Sequence, residues 1–255
     1  MRIATWNVNS LTVRLPRVEE WIGLHAPDVL CLQETKQSNE KFPTDELAAL
    51  GYESAHHGEG RWNGVAILSR VGLDDVRVGF STAEDEFGAR LIAATCNGVR
   101  VMSAYVPNGR TLDSEHFTMK LQWLKRLHEV LEGFDPKDQV AVLGDFNVAP
   151  VDADVWDIAA LEGMTHVSLE ERAAIQSLEQ LGFEDVFQRF HPDGGVFSWW
   201  DYRDGAFHKG HGMRIDLILT SMALSKRASD AFVDRDARKG VKPSDHAPVV
   251  ADFTD

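Results

Sequence analysis

Val140-Ala141-Val142-Leu143-Gly144-Asp145-Phe146-Asn147 is an apolar run that stops on a glycine, a carboxylate and an amide. Four consecutive apolar residues bounded by turn formers read as a short strand. The i, i+2 spacing of Asp145 and Asn147 puts both side chains on one face as long as the chain stays extended. There a carboxylate can take a proton from an attacking water while an amide donates to a developing oxyanion, a pairing suited to phosphoryl transfer. Gly-Asp and Asn are also ordinary turn residues, so the segment alone equally fits a plain turn after a strand.

The chain around it is strand-rich. Runs of β type are expected at Met1–Val8, Asp28–Gln33, Tyr52–His56, Val65–Ser69, Asp75–Phe80, Leu91–Cys96 and Val99–Tyr105, and again at Met213–Thr220, Ala231–Asp234 and Val249–Phe253. Helical spacing marks Arg14–His25 after a turn near Pro16, Val155–Leu161 and Leu169–Leu181. The longest helix is expected over Asp113–Leu131, where Phe117, Leu121, Leu124, Leu127 and Leu131 recur every three or four residues and Asp113 is the candidate N-cap. No repeat or linker marks a boundary, so residues 1–255 read as one α/β domain. Many strands with fewer helices suggest two packed sheets with helices outside.

Composition narrows the function. With 255 residues and 44% hydrophobic content the chain can bury a large core. No window approaches the roughly 18 apolar residues of a membrane span, and no leader pattern opens the sequence. A soluble, unprocessed, cytoplasmic protein with no membrane partner is expected, nucleoid-associated if bacterial, and acting as a monomer. Cys31 and Cys96 sit in apolar stretches and read as buried thiols. The net charge of −14 argues against a nucleic-acid partner. A metal site itself needs carboxylates, however, and a basic footprint can be local, with Arg61, Lys209, Arg214, Arg238 and Lys242 as candidates.

Other polar groups follow strands in the same way. Asn7 and Glu34 each end an apolar run, and two strands delivering an amide and a carboxylate could hold a hard cation, though each is also a plausible turn residue. Asp216 lies inside the apolar strand of Arg214-Ile215-Asp216-Leu217-Ile218-Leu219, where a charge is costly unless paired. His246 of Ser244-Asp245-His246 is the candidate partner, with Asp245 beside it facing a metal or water; a stabilising pair remote from any site is the alternative. Tyr105, Asn108 and Arg110 crowd a Pro-Gly turn and suit a phosphate, or an ordinary turn. Phe197-Ser198-Trp199-Trp200-Asp201-Tyr202 can stack on bases or pack in the core, and core packing is expected for at least one of the two tryptophans. His208 and His211 read as exposed. No phosphate loop, GxSxG elbow, HExxH helix or CxxC pair occurs.

Taken in order, WNVNS at Trp6, LQETK at Leu32, YVPNG at Tyr105, GDFN at Gly144, FSWWDY at Phe197, RIDLIL at Arg214 and PSDHAP at Pro243 resemble the exonuclease III family of abasic-site endonucleases, within the endonuclease/exonuclease/phosphatase superfamily. The resemblance spans nearly the whole chain. It implies a four-layer α/β sandwich of the DNase I-like kind: two packed mixed β-sheets flanked by helices, with the site at one end. It implies Glu34 as principal metal ligand with Asn7 and Asp245 beside it, and Asp145, Asn147 and His246 completing the surroundings of the ion. Asp145 would activate or orient the attacking water and Asn147 assist the transition state. Asp216, His246 and Tyr105 would contact the scissile phosphate, and Asn108 and Arg110 would touch the substrate. Trp199, Met213 and Ile215 match the wall of a pocket for an extruded, baseless sugar. The implied cofactor is Mg2+, with Mn2+ as substitute. The implied reaction is cleavage 5′ to abasic sites in duplex DNA, with 3′ to 5′ exonuclease and 3′-phosphatase activity beside it. The rivals are same-fold phosphoesterases acting on inositol phosphates, lipids or RNA, and a catalytically silent DNA-binding module.

Overall fold

The computed structural model describes residues 1–80 and 87–255. In chain order the strands are β1 (Arg2–Asn7), β2 (Val29–Gln33), β3 (Glu53–His57), β4 (Val65–Ser69), β5 (Asp74–Val78), β6 (Leu91–Cys96), β7 (Val99–Tyr105), β8 (Val140–Asp145), β9 (Phe183–Asp185), β10 (Trp199–Trp200), β11 (Gly212–Met213), β12 (Asp216–Ser221), β13 (Ala228–Val233) and β14 (Val249–Phe253). The α-helices are α1 (Leu11–His25), α2 (Thr44–Ala49), α3 (Glu115–Glu132), α4 (Leu169–Gln180), α5 (Val186–Phe190), α6 (Ala206–Lys209) and α7 (Met222–Ser225).

Among the described residues, β13-β14-β1-β2-β4-β3 form one six-stranded sheet and β5-β6-β7-β8-β12-β9 another. Both are mixed: β1 runs parallel to β2 and antiparallel to β14, and β8 runs parallel to β7 and antiparallel to β12. Alternation along each strand builds the layers. Ile3, Cys31, Ile92, Val101, Leu143 and Ile218 meet between the sheets. Their neighbours Ala4 and Leu30 turn outward against Val18, Trp21 and Ile22 of α1. Val142 and Leu217 turn the other way, against Trp123, Leu124 and Leu127 of α3 and Ile175 and Leu178 of α4. Strands covered on both faces read as unbroken apolar runs, as β8 does, and each side chain so buried contributes about 1.5–3 kcal/mol. The result is the four-layer sandwich. Cys31 and Cys96 are free and buried.

Register sets the site. Asn7 pairs with Gln33, Tyr105 with Asp145, and Asp145 with Asp216. Just beneath, Gln33 Nε2 crosses between the sheets to Ser103 Oγ at 3.0 Å, and Thr5 Oγ1 reaches Gln33 Oε1 at 3.1 Å.

Several expectations need correction. Helix α1 begins three residues before Arg14 and contains Pro16, because the Ser10 and Leu11 N–H groups donate to the carbonyls of Glu34 and Thr35 and so launch the helix from the end of β2. The cap of α3 is Ser114, not Asp113: its Oγ accepts from Phe117 N at 3.1 Å. Val155–Leu161 is not an α-helix: it follows a 3-10 turn at Asp152–Asp154 and ends in another at Ala159–Leu161, with Val155 bridged to Met213. Met213–Thr220 is two strands, since Gly212–Met213 pairs with β10 whereas Asp216 onward pairs with β8. Among the described residues no helix is long and apolar enough to cross a membrane.

Candidate active site

Asn7 fixes the centre. Its Nδ2 donates to Glu34 Oε1 and to Asp145 Oδ2, both at 2.9 Å, while its Oδ1 accepts from the Asn9 backbone at 3.0 Å. The buried amide therefore bridges carboxylates brought by the two sheets. Glu34 follows β2 at φ 51, a left-handed turn. Lys36 lies 2.8 Å from Glu34 Oε2 and donates to Asn9 Oδ1 at 2.6 Å. Asp245 accepts from Asn9 Nδ2 and from Trp199 Nε1, each at 3.1 Å.

Opposite stands the second pair. His246 Nδ1 donates to buried Asp216 Oδ2 at 2.9 Å, and its Nε2 lies 3.7 Å from Asp145 Oδ2. Burial alone would lower the basicity of this imidazole, but Asp216 and Asp145 outweigh it and raise its pKa to about 10, so the ring is an imidazolium at neutral pH. Burial pushes Asp145 up to about 7, helped by Asp216 and Glu34 and opposed by His246. Glu34, Asp145 and His246 each offer an atom within 4.8 Å of the others. A protonated ring has no lone pair for a metal, whereas Glu34 and Asp145 offer hard oxygen donors. Four carboxylates, Glu34, Asp145, Asp216 and Asp245, stand against the cations Lys36 and His246, a donor set that fits a divalent cation.

Asn147 closes the site from the other side. Asp145 to Asn147 is not extended: Asn147 has φ 52, and its N–H turns back to Asp145 Oδ1 at 2.9 Å. The two residues are thus joined by a turn and not by strand alternation. Asn147 Nδ2 donates to the Val106 carbonyl at 3.0 Å, and its Oδ1 accepts from exposed Asn108 Nδ2 at 3.1 Å. Asn108 in turn holds the Arg110 backbone at 3.2 Å, leaving the guanidinium of Arg110 exposed. Burial, together with Glu34 and Asp145, raises the Tyr105 pKa well above its usual value, so the phenol stays neutral.

A sequence profile of the endonuclease/exonuclease/phosphatase family matches residues 4–246. The chain belongs to this family. It is 34% identical to exodeoxyribonuclease III of Haemophilus influenzae over 99% of its own length and 100% of that protein. An AP endonuclease from Archaeoglobus fulgidus superposes with a TM-score of 0.97 at 39% identity, covering 100% of both chains. The Neisseria 3′ phosphatase NExo, solved with a product DNA hairpin, gives 0.97 at 42% identity, covering 100% of this chain and 99% of that one. As an endonuclease/exonuclease/phosphatase protein with these full-length relatives, the chain is a metal-dependent DNA-repair nuclease.

The remaining family residues divide. Trp199, Met213 and Ile215 come together with Ala149, Val155 and Val167 in one apolar cluster, in which Met213 and Ile215 are 5% and 2% exposed and Trp199 is half-buried. Trp200 is core. Arg214 is not part of a basic footprint: 1% exposed, it is locked by Asp154 at 2.7 and 2.8 Å and Asp185 at 2.6 Å. Arg238 is also buried, its guanidinium spent on the carbonyls of Ser244 and Trp200. His208 is exposed, but His211 is half-buried and stacked on Trp156 at 3.8 Å. Four residues escaped the sequence reading. Asn9 and Lys36 lie inside the WNVNS and LQETK motifs and were within reach; Arg90, 4.6 Å over the Tyr105 ring, and Lys120 gave no local signal.

Proposed function

We propose that this endonuclease/exonuclease/phosphatase protein hydrolyses the phosphodiester 5′ to an abasic site in duplex DNA, and that the same residues remove nucleotides or phosphate from 3′ ends, with Mg2+ as cofactor and Mn2+ as substitute. The observation that carries the reading is Asp145, a buried carboxylate poised near neutrality and held by Asn7, His246 and the Asn147 backbone. Asp145 takes a proton from the attacking water as the new P–O bond forms and the P–O3′ bond breaks in line, and the departing 3′-oxyanion takes a proton from solvent water to become the 3′-hydroxyl. The His246 imidazolium, oriented by Asp216, and the amide of Asn147 donate to phosphate oxygens as charge builds there, and the neutral phenol of Tyr105 adds a further donor. Glu34 and Asp145 would hold the metal, with Asn7 and Asp245 beside them; when bound, it neutralises phosphate charge and stabilises the leaving oxyanion. Because both sheets supply these groups, the chain acts as one catalytic unit.

The apolar cluster around Trp199 supports a sugar-selective wall. Its closure over Met213 and Ile215 favours a second reading, in which 3′-end hydrolysis outruns abasic cleavage because a 3′ terminus need not open that wall. One experiment tests both: an abasic duplex, a recessed 3′-phosphate, an intact blunt duplex, RNA and an inositol phosphate are compared at equal magnesium. Turnover confined to the DNA substrates is expected, and the ratio of the first two rates decides between the readings. Hydrolysis of the inositol phosphate with the DNA substrates untouched would overturn them together.

A further inference from the structure

Lys120 lies on α3, in the helical layer outside the second sheet, and is 0% exposed. Its Nζ forms an ion pair with equally buried Glu171, and donates to the Asn147 carbonyl at 2.6 Å, to Thr165 Oγ1 at 3.3 Å and to the Asn108 carbonyl at 3.4 Å. Glu171 is the N3 residue of the α4 capping box with Ser168, and it also accepts from Thr165 Oγ1 at 2.8 Å and from the His166 N–H at 2.9 Å. His166 Nδ1 lies 2.6 Å from the same Asn147 carbonyl, which has a lone pair for each partner.

Burying an ammonium is costly even when it is paired, and two apolar side chains would join α3 to α4 at least as well. What an apolar pair would not do is hold a loop carbonyl. Asn147 sits in the left-handed region, disfavoured for a side chain that is not glycine and kept only where surroundings over-determine it. Asn108, whose carbonyl is the second target, is the residue whose amide grips Asn147 Oδ1. We infer that the Lys120–Glu171 pair is a positioning device that holds the Asn147 and Asn108 loops so that the Asn147 amide faces the reacting phosphate. The inference rests on the proposed role of Asn147. Lys120 acts through that residue and touches no substrate.

Steady-state kinetics on the preferred DNA substrate, at saturating magnesium and below every thermal midpoint, test it with Lys120→Met, Lys120→Arg, Lys120→Met/Glu171→Met and Asn147→Ala. Lys120→Met strands a buried carboxylate and lowers the midpoint. The double variant removes that charge and recovers part of the midpoint, short of wild type because the α4 capping box goes with Glu171, yet its kcat stays down by about 10²-fold, the cost of a catalytic group displaced by an ångström, with KM and magnesium dependence unchanged. Lys120→Arg, which keeps N–H donors on a cation, retains more kcat than Lys120→Met. Recovery of wild-type kcat in the double variant, or equal kcat in the Met and Arg variants, overturns the inference while leaving the role of Asn147 intact. Wild-type kcat in Asn147→Ala removes that role and the inference with it.

Discussion

Glu34 and Asp145 are carboxylates of opposite temperament. Glu34 is half-buried, tied to Asn7 and Lys36, and belongs to no apolar cluster. Glu34→Ala is therefore expected to raise the magnesium needed for half-maximal rate and to cut turnover by orders of magnitude, with the thermal midpoint little changed; wild-type turnover at limiting magnesium would remove Glu34 from the metal site. Asp145 is held near 7 by its burial and by Asp216 and Glu34. As the base it must be ionised, so kcat/KM falls as pH drops through that region, and because a bound cation favours the carboxylate, the acid limb moves to lower pH as magnesium rises. A limb that stays put across a magnesium titration belongs to another group. Trp199 is expected to be wall and not core. Truncating a core tryptophan costs about 3–5 kcal/mol, but this ring is half-buried with its Nε1 on Asp245. Trp199→Ala should lower abasic cleavage more than 3′-end cleavage. An unchanged ratio with a sharply lowered midpoint would assign the ring to the core.

Strand β8 shows how an element turns packing into placement. Gly144 has φ 151, and a Cβ there would lie 1.9 Å from the Ala104 carbonyl oxygen of β7. Backbone cannot give way as a side chain does, so Gly144→Ala must part the two strands one residue before Asp145. A loss of about 3 kcal/mol, at the upper end for a single substitution, is expected in denaturant titration; a loss under about 1 kcal/mol would show that the strands part freely. Much of this was legible in the sequence. Strands covered on both faces must be apolar throughout, which is why β2, β4, β6, β8 and β14 stood out, and the 3.6-residue stripe of α3 announced a helix on a sheet. The polar ends of those strands were legible as site candidates for the same reason. What failed was local reading of residues whose partners are distant in sequence. Val155–Leu161 has helical spacing, but its apolar side chains serve the cluster around Met213 and not one helix face. The carbonyl of the Asn147 turn accepts from Lys120, 27 residues upstream, and Arg214 finds Asp154 60 residues away.

At the scale of the whole molecule the net charge of −14 has to be reconciled with a polyanionic substrate. The fold uses several of its cations internally: Arg214 between Asp154 and Asp185, Arg238 on backbone carbonyls, Lys120 on Glu171. What remains toward solvent includes Arg61 beside exposed Trp62, Arg110, Lys209 and Lys242, with Lys36 and His246 inside the site. Long-range attraction to DNA is therefore expected to be weak, with binding expected to depend on a few direct phosphate contacts. Each neutralised phosphate releases condensed counterions and adds about 0.9 to the slope of log affinity against log salt. Measured with catalytically silent Asp145→Asn, affinity for duplex DNA should fall linearly on that plot. Lys209→Ala and Lys242→Ala should each flatten the slope by about one contact's worth, roughly 0.9, without loss of stability, because both side chains are exposed. Arg214→Ala should behave differently. It strands two buried carboxylates, so its effect falls on the thermal midpoint, and any folded fraction should keep the wild-type slope. A wild-type slope that is flat from low to physiological salt would mean that phosphates are not what the protein grips, and would redirect the search toward a small phosphoester.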